Sequence, residues 1–348
     1  MADISLPIQP NTTEPQPAIA IPKEIISQDI TLAHKPSASI NYSFARGNGK
    51  DPVLVVFLNG LMTDKVTWIP VIAGIIRRRI GTAVGFPSML AYDRYGQGMS
   101  DDRDPADQGK DNGHGHDCRD AAEDLHYLIQ QVAEIEMGLK TEQLKLILVA
   151  NSIGCAIARL YSQTHPVAGF PVAGFLLLDS IMANSNFDFW PDPDAPDFSE
   201  DELPEDVSIE VLHEQRAKFA VMFHPNTINK EGLSRRNLAQ LLPHSSSPML
   251  GKEGDRPWLT VVGHDFEAFA QESLRTMGTP ISLSMKYSNP MWHKYNKGLT
   301  QLTVKTKSKG PFQAKGCGHF IQRDGPAIVV DETLELVDKV TMQNATGQ

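Results

Sequence analysis

An α/β fold built on a mostly parallel, doubly wound sheet is predicted by three features of the 348-residue chain. Five short apolar runs (residues 52–59, 87–93, 144–150, 173–179 and 257–263) are continuous rather than alternating, the pattern of strands buried on both faces. Segments with a helical period separate them, which is how a sheet comes to be wound on both sides. The length has room for one large α/β domain with insertions or for two modest domains, and the apolar share of 41% and charged share of 21% are ordinary for a globular protein.

In chain order, residues 1–24 are rich in Pro and Thr, lack a basic-then-apolar leader, and read as a flexible arm. "EIISQDITLAH" and "ASINYSFARG", parted by Lys35-Pro36, alternate partially and predict an antiparallel hairpin at a sheet edge. "PVLVVFLN" is the first parallel strand, and "WIPVIAGIIRRRI" is a helix whose Arg77 to Arg79 complement its C-terminal dipole. "PSMLAYD" follows, then the helix "RDAAEDLHYLIQQVAEIEM", the strand "LKLILVA", the helix "IGCAIARLYSQTH" and the strand "AGFLLLD". Residues 184–255 interrupt this rhythm between two sheet strands. They begin with a solvated acidic loop and continue as "SIEVLHEQRAKFAVMF" and "NKEGLSRRNLAQLL", both helical. This predicts a cap over the sheet's C-terminal edge, inserted into a core of residues 25–183 and 256–343. After "PWLTVVG", residues 266–309 hold two more helical pieces before a last strand near "GPFQAK".

A formal charge of −10, with no basic cluster beyond Arg77 to Arg79, argues against nucleic acid as a partner. No apolar run approaches the roughly 20 residues of a membrane span. Three cysteines, Cys118, Cys155 and Cys317, are odd in number and show no CxxC spacing, so no disulfide framework and a cytoplasmic location are expected. His114, His116 and Cys118 form a conceivable zinc set but lack a second ligand cluster.

The chemistry begins at Ala150-Asn151-Ser152-Ile153-Gly154. A serine at a sharp strand-to-helix turn has its hydroxyl pushed above the sheet edge, with the amides of a helix N-terminus aimed into the same space. Such a turn brings backbone segments close and needs small residues two positions to either side. The same serine could also simply N-cap a helix. His319, in "AKGCGHFIQRDGP", lies on a Gly-rich loop after a strand and before a helix begun at Pro326, which suits a general base. His114, His116, His264 and His293 have no comparable setting. The first parallel strand ends in Asn59-Gly60, and the amide of Leu61, with or without that of Met62, would join the amide of Ile153 in an oxyanion hole.

These pieces together resemble the α/β-hydrolase family over most of the chain after residue 50. "YDRYGQGMSDD", "RDAAEDLHYLI" and "GCGHFIQRDGPAIVVDETLELV" resemble, in order, further motifs of one of its subgroups. The resemblance implies a Ser-acid-His hydrolase with Ser152 as nucleophile and His319 as base. Asn59 stands where the family usually has His, Asn151 replaces the usual His before the serine, and Ala150 and Cys155 replace glycines. Asn59, Gly60, Met62 and Asn151 are therefore candidate pocket residues. The acid has two candidates. Asp265 follows the strand the family usually uses, though one residue short of the common spacing, and is preferred; Asp179 ends "AGFLLLD", a location used by some relatives. Glu267 is the fallback. Asp93 and Arg94 read instead as a buried charge pair tying loops together.

The expected activity is hydrolysis of an ester, lactone or thioester of a mid-sized hydrophobic small molecule through an acyl-enzyme, with no metal or organic cofactor. The hydrophobic substrate rests on "FDFW", "FAVMF" and the methionines Met62, Met182, Met285 and Met291. A lyase, an acyltransferase or a ligand-binding protein on the same scaffold is the alternative. The oligomeric state is left open.

Overall fold

The computed structural model describes residues 22–110, 114–164, 172–185 and 188–342. The expected arm lies almost wholly outside these. Eight strands form one sheet. In chain order the first elements are β1 (Ile25–Thr31), β2 (Ser39–Ala45), β3 (Val53–Leu58), α1 (Ile69–Arg79), β4 (Ser88–Tyr92), the two-residue β5 (His116–Asp117), α2 (Cys118–Val132), β6 (Lys145–Asn151), α3 (Ile153–Thr164) and β7 (Val172–Leu178). There follow α4 (Ile209–Phe223), the two-residue β8 (Leu233–Ser234), α5 (Leu238–Leu241), β9 (Trp258–His264), α6 (Phe266–Met277), α7 (Ile281–Leu283), α8 (Asn289–Leu299), β10 (Ser308–Ala314), α9 (Ile321–Asp324) and α10 (Pro326–Met342).

The spatial order is β1-β2-β4-β3-β6-β7-β9-β10. The predicted hairpin is the antiparallel pair β1–β2 at one edge, and β2 is antiparallel to β4. All other pairs in this sheet are parallel. Each position of β3 and β4 is buried, because successive side chains enter opposite hydrophobic layers. Val53, Val55 and Phe57 join the layer under α1 and α10, while Leu54, Val56 and Leu58 join the layer under α2 and α3. The chain moves outward from β3 to β4 on one side, then returns to place β6 on the other. The C-terminal ends of β3 and β6 therefore flank the point where the strand order reverses, where open α/β sheets build their sites.

The helix ends follow local chemistry. Asp117 and Asp120 form a reciprocal capping box at the start of α2, Ser208 caps α4, and Arg77 to Arg79 occupy the last turn of α1. Residues 184–255 differ from expectation in one part. The predicted helix over "NKEGLSRRNLAQLL" is helical only at Leu238–Leu241. Gly232 adopts φ 80°, Leu233–Ser234 pairs with β5, and Glu231 turns inward to Arg94. Trp190, Leu212, Phe219, Leu233 and Leu242 join the same hydrophobic layer as α2 and α3, so this insertion is packed into the common core. Among the described residues no helix is long and apolar enough to cross a membrane.

Candidate active site

At the end of β6 the chain turns abruptly. Ser152 has φ 55°, its amide donates to the Leu178 carbonyl at 3.1 Å, and α3 begins at the next residue. The small residue at 154 is a steric necessity, since a Cβ there would lie 2.6 Å from the Leu58 carbonyl oxygen. Ser152 is 9% exposed, and its side chain has no hydrogen-bond partner among the described residues.

The His319 imidazole is held by Asp179, with Nδ1 2.6 Å from Oδ2. Asp179 lies one residue past β7, is fully buried, and has φ 41°. Its Oδ1 meets a second imidazole, His264 Nδ1, at 2.8 Å. Burial alone would raise the Asp179 carboxyl; His264 and then His319 hold it far below the usual carboxylate range. Burial would likewise lower the His319 imidazole, but the hydrogen bond and charge of Asp179, helped by Glu272, raise it. The His319 loop is pinned rather than free. Glu272 accepts from the His319 amide at 2.9 Å, Asp324 from the Gly318 amide at 2.9 Å, and Asn151 Nδ2 donates to the His319 carbonyl at 3.0 Å. Trp292 packs against the ring, centroids 5.4 Å apart, with its indole N–H on the Ser180 carbonyl.

The loop after β3 is fixed by its carbonyls. Arg94 donates to the carbonyls of Asn59 (2.9 Å) and Gly60 (2.8 Å), and Gln97 also donates to that of Gly60. Because a trans peptide sets its N–H opposite its C=O, the Leu61 N–H is turned away from Arg94. The Met62 N–H, at φ 57°, is taken by Glu231. Glu231 also pairs with Arg94 at 2.9 Å and accepts from Gln97.

A family model described as the alpha/beta hydrolase family matches residues 55–332. The chain belongs to the alpha/beta hydrolase family. Among solved structures, this alpha/beta hydrolase is similar to a candidate hydrolase from Agrobacterium vitis S4, with 13% identity, TM-score 0.52, and 91% of this chain and 98% of that one covered. It is also similar to haloalkane dehalogenase DbeA from Bradyrhizobium elkani USDA94 (16%, 0.50, 92% and 99%). A third likeness is to the peroxisomal alpha-beta-hydrolase Lpx1 from Saccharomyces cerevisiae (13%, 0.50, 92% and 89%). At these identities the likeness is one of fold. Comparison with curated proteins finds no match.

Within this alpha/beta hydrolase, the predicted residues fall into two groups. Ser152, Gly60, Asn151, His319 and Asp179 meet at the ends of β3, β6 and β7. Asp265, preferred from sequence, instead caps α6, accepting from the amides of Glu267 (3.0 Å) and Ala268 (3.1 Å) and, through Oδ2, from that of Gly316 (3.2 Å). Those amides hold its carboxyl below the usual range against the effect of burial. Glu267, on the first turn of α6, bonds Gln271. Asn59 and Asn151, expected in the substrate pocket, are buried and spend their polar atoms on the protein. Asn59 bonds Tyr92, Asp93, Gln97 and Trp68; Asn151 bonds Leu178, His319 and Gln322. Met182 belongs to the core, whereas Met285 and Met291 are exposed. The Asp93–Arg94 pair is really two pairs, Lys65–Asp93 and Arg94–Glu231. His116 bonds Asp107 at 2.8 Å, and burial pushes the Cys118 thiol up to about 12, the reverse of what a thiolate ligand needs. Sequence reasoning missed His264, Glu231 and Glu272, which carry no motif; only an aspartate with two possible histidine partners would have pointed to the first.

Proposed function

We propose that the chain is a serine hydrolase in which Ser152, His319 and Asp179 form the catalytic unit. The observation that carries this reading is the 2.6 Å bond between Asp179 and His319, on a loop fastened through Asn151 to the turn that bears Ser152. With Nδ1–H donated to Asp179, the His319 Nε2 is left as the basic nitrogen. It takes the Ser152 proton as Oγ attacks the carbonyl carbon. The amides of Leu61 and Ile153 receive the oxyanion, the first turned away from Arg94 and the second opening α3, where helix amides lack intrahelical acceptors. Collapse expels the alcohol or thiol, protonated by His319. Water, deprotonated by the same nitrogen, then releases the acid and restores Ser152.

The free Ser152 hydroxyl fits this role, because catalytic hydrogen bonds are often long until substrate binds. Residues 184–255 serve as the cap. Trp292 against His319, Phe320 beside it at 5.0 Å, and the half-buried Leu61 supply apolar walls for an ester, lactone or thioester of a mid-sized hydrophobic molecule. A fluorophosphonate probe is expected to label folded wild-type protein at Ser152 and to leave Ser152→Ala unlabelled. Absence of labelling on the folded wild type defeats the activated nucleophile. Labelling without turnover on ester, lactone and thioester panels would favour non-hydrolytic chemistry.

A further inference from the structure

Asp179 offers two oxygens, and each meets a different imidazole. His319 takes Oδ2; His264 takes Oδ1, through Nδ1 at 2.8 Å and its own backbone amide at 3.3 Å. The far nitrogen of His264, Nε2, lies 3.1 Å from the Asn289 side-chain oxygen. That amide is oriented by its other end, whose Nδ2 donates to the Phe266 carbonyl at 3.0 Å, a group that can only accept. Both ring nitrogens of His264 therefore face oxygens that have no proton to offer. For both contacts to be hydrogen bonds both nitrogens must donate, and an imidazole that donates from both is a cation. The ring is 2% exposed, stacked on Phe269 at 4.1 Å and met edge-on by Trp292 at 5.6 Å. Little water reaches it to supply alternative partners.

We propose that His264 is a positioning residue whose positive charge, set across one carboxylate from His319, keeps Asp179 ionised and aimed and moderates the basicity of His319. The proposal rests on the reading of His319 as general base. The charge of His264 is the largest influence opposing the effect of burial on Asp179. Other charged groups lie around the pair. Glu272 accepts from the His319 amide and pairs with Arg323, and Asp324 accepts from the Gly318 amide. Asp265 follows His264 but spends its oxygens on the amides of α6 and Gly316, and His293 lies beyond the Phe266 ring. Among the described residues Asp179 alone is bonded to both imidazoles. A carboxylate shared with a second cation attracts the His319 proton less than an unshared one would. His264 thus leaves His319 free to act as a base at a lower pH.

The test is histidine NMR on the full chain, wild type and His264→Gln, with kinetics on the same samples. In the wild type His264 is expected to show protons on both ring nitrogens at neutral pH, a readout that needs no variant. In His264→Gln, which can keep an N–H donor toward Oδ1 without the charge, the His319 titration is expected to move to higher pH. The acid limb of kcat/KM should move with it. The same change should lower kcat roughly tenfold with little change in KM, a fraction of the ~10²–10⁴ that a general base supplies. A purely structural His264 would lower activity without moving either titration. A singly protonated wild-type ring, or an unmoved His319 titration, overturns the proposal. Failure of the wild type to label at Ser152 overturns the hydrolase reading, and the NMR still decides the charge of His264.

Discussion

Asp179 and Asp265 each stand one residue past the end of a parallel strand, on the neighbours β7 and β9. Their surroundings differ almost completely. Asp179 has φ 41°, has no exposed side-chain surface, and is bonded to two imidazoles. Asp265 has φ −71°, is half-buried, and directs its carboxylate to backbone amides. The left-handed bend turns the first side chain back toward the end of β6, whereas the extended-to-helix transition of the second makes it an N-cap. Among the described residues three non-glycine positions have positive φ, namely Met62, Ser152 and Asp179, and all three lie at the site. Positive φ thus separates Asp179, the proposed triad acid, from Asp265 more sharply than strand position does.

The largest expected effect tests this contrast directly. With an activated ester as substrate, Asp179→Asn should lower kcat by roughly 10⁴, through loss of His319 orientation and of charge on the imidazolium. Asp265→Asn should stay within a few-fold, since Asn also caps helices. The pH profiles should diverge too. In the proposed mechanism attack requires neutral His319, so kcat/KM should fall as pH drops through the His319 titration, which Asp179 raises. In Asp179→Asn the residual acid limb should therefore move to lower pH; in Asp265→Asn it should stay in place. A larger loss at Asp265 than at Asp179 would reverse the assignment.

Much of the fold was legible because it is written in short-range patterns. Continuous apolar runs became β3, β4, β6, β7 and β9, and partial alternation became β1 and β2. Ser152 and His319 stood out because their turns constrain neighbouring residues to be small. The partnership of Asp179 with His264 was not legible. It depends on the sign of one φ angle and on the meeting of residues 85 positions apart. The helix expected from residue 229 also failed for a tertiary reason: Glu231 forms a buried pair with Arg94, 137 positions away, and the chain bends at Gly232 to let it do so.

Asn151 sharpens the comparison at intermediate size, because it binds the Asp179 side of the site to the His319 loop. Its Nδ2 donates to the carbonyls of Leu178 and His319, and its Oδ1 accepts from Gln322 at 3.3 Å. Asn151→Ala should cost about 1–3 kcal/mol by leaving buried partners unsatisfied. Asn151→Asp keeps the shape but loses the donors and should not rescue it. Denaturant titration reads the stability loss. A parallel fall in kcat at constant KM would show that the tether positions His319.

The smallest effect belongs to Asp265 as a cap. Asp265→Ala removes two acceptor contacts to α6 and the one to Gly316, and it leaves the Asp179–His319 bond untouched. Loss of an N-cap costs about 0.5–2 kcal/mol. For a chain of this size that corresponds to a fall in Tm of a few degrees. Gly316 precedes His319 by only three residues, so a slightly looser loop should also reduce kcat, by a few-fold rather than by orders of magnitude. The discriminating comparison is with Asp265→Asn. Asn restores the cap through Oδ1 and should recover the lost stability, but its Nδ2 cannot accept from the Gly316 N–H, so the turnover lost through the His319 loop should not return with it. Recovery of both together would show instead that the Gly316 contact does not hold the His319 loop in place, and that Asp265 acts only through the cap of α6.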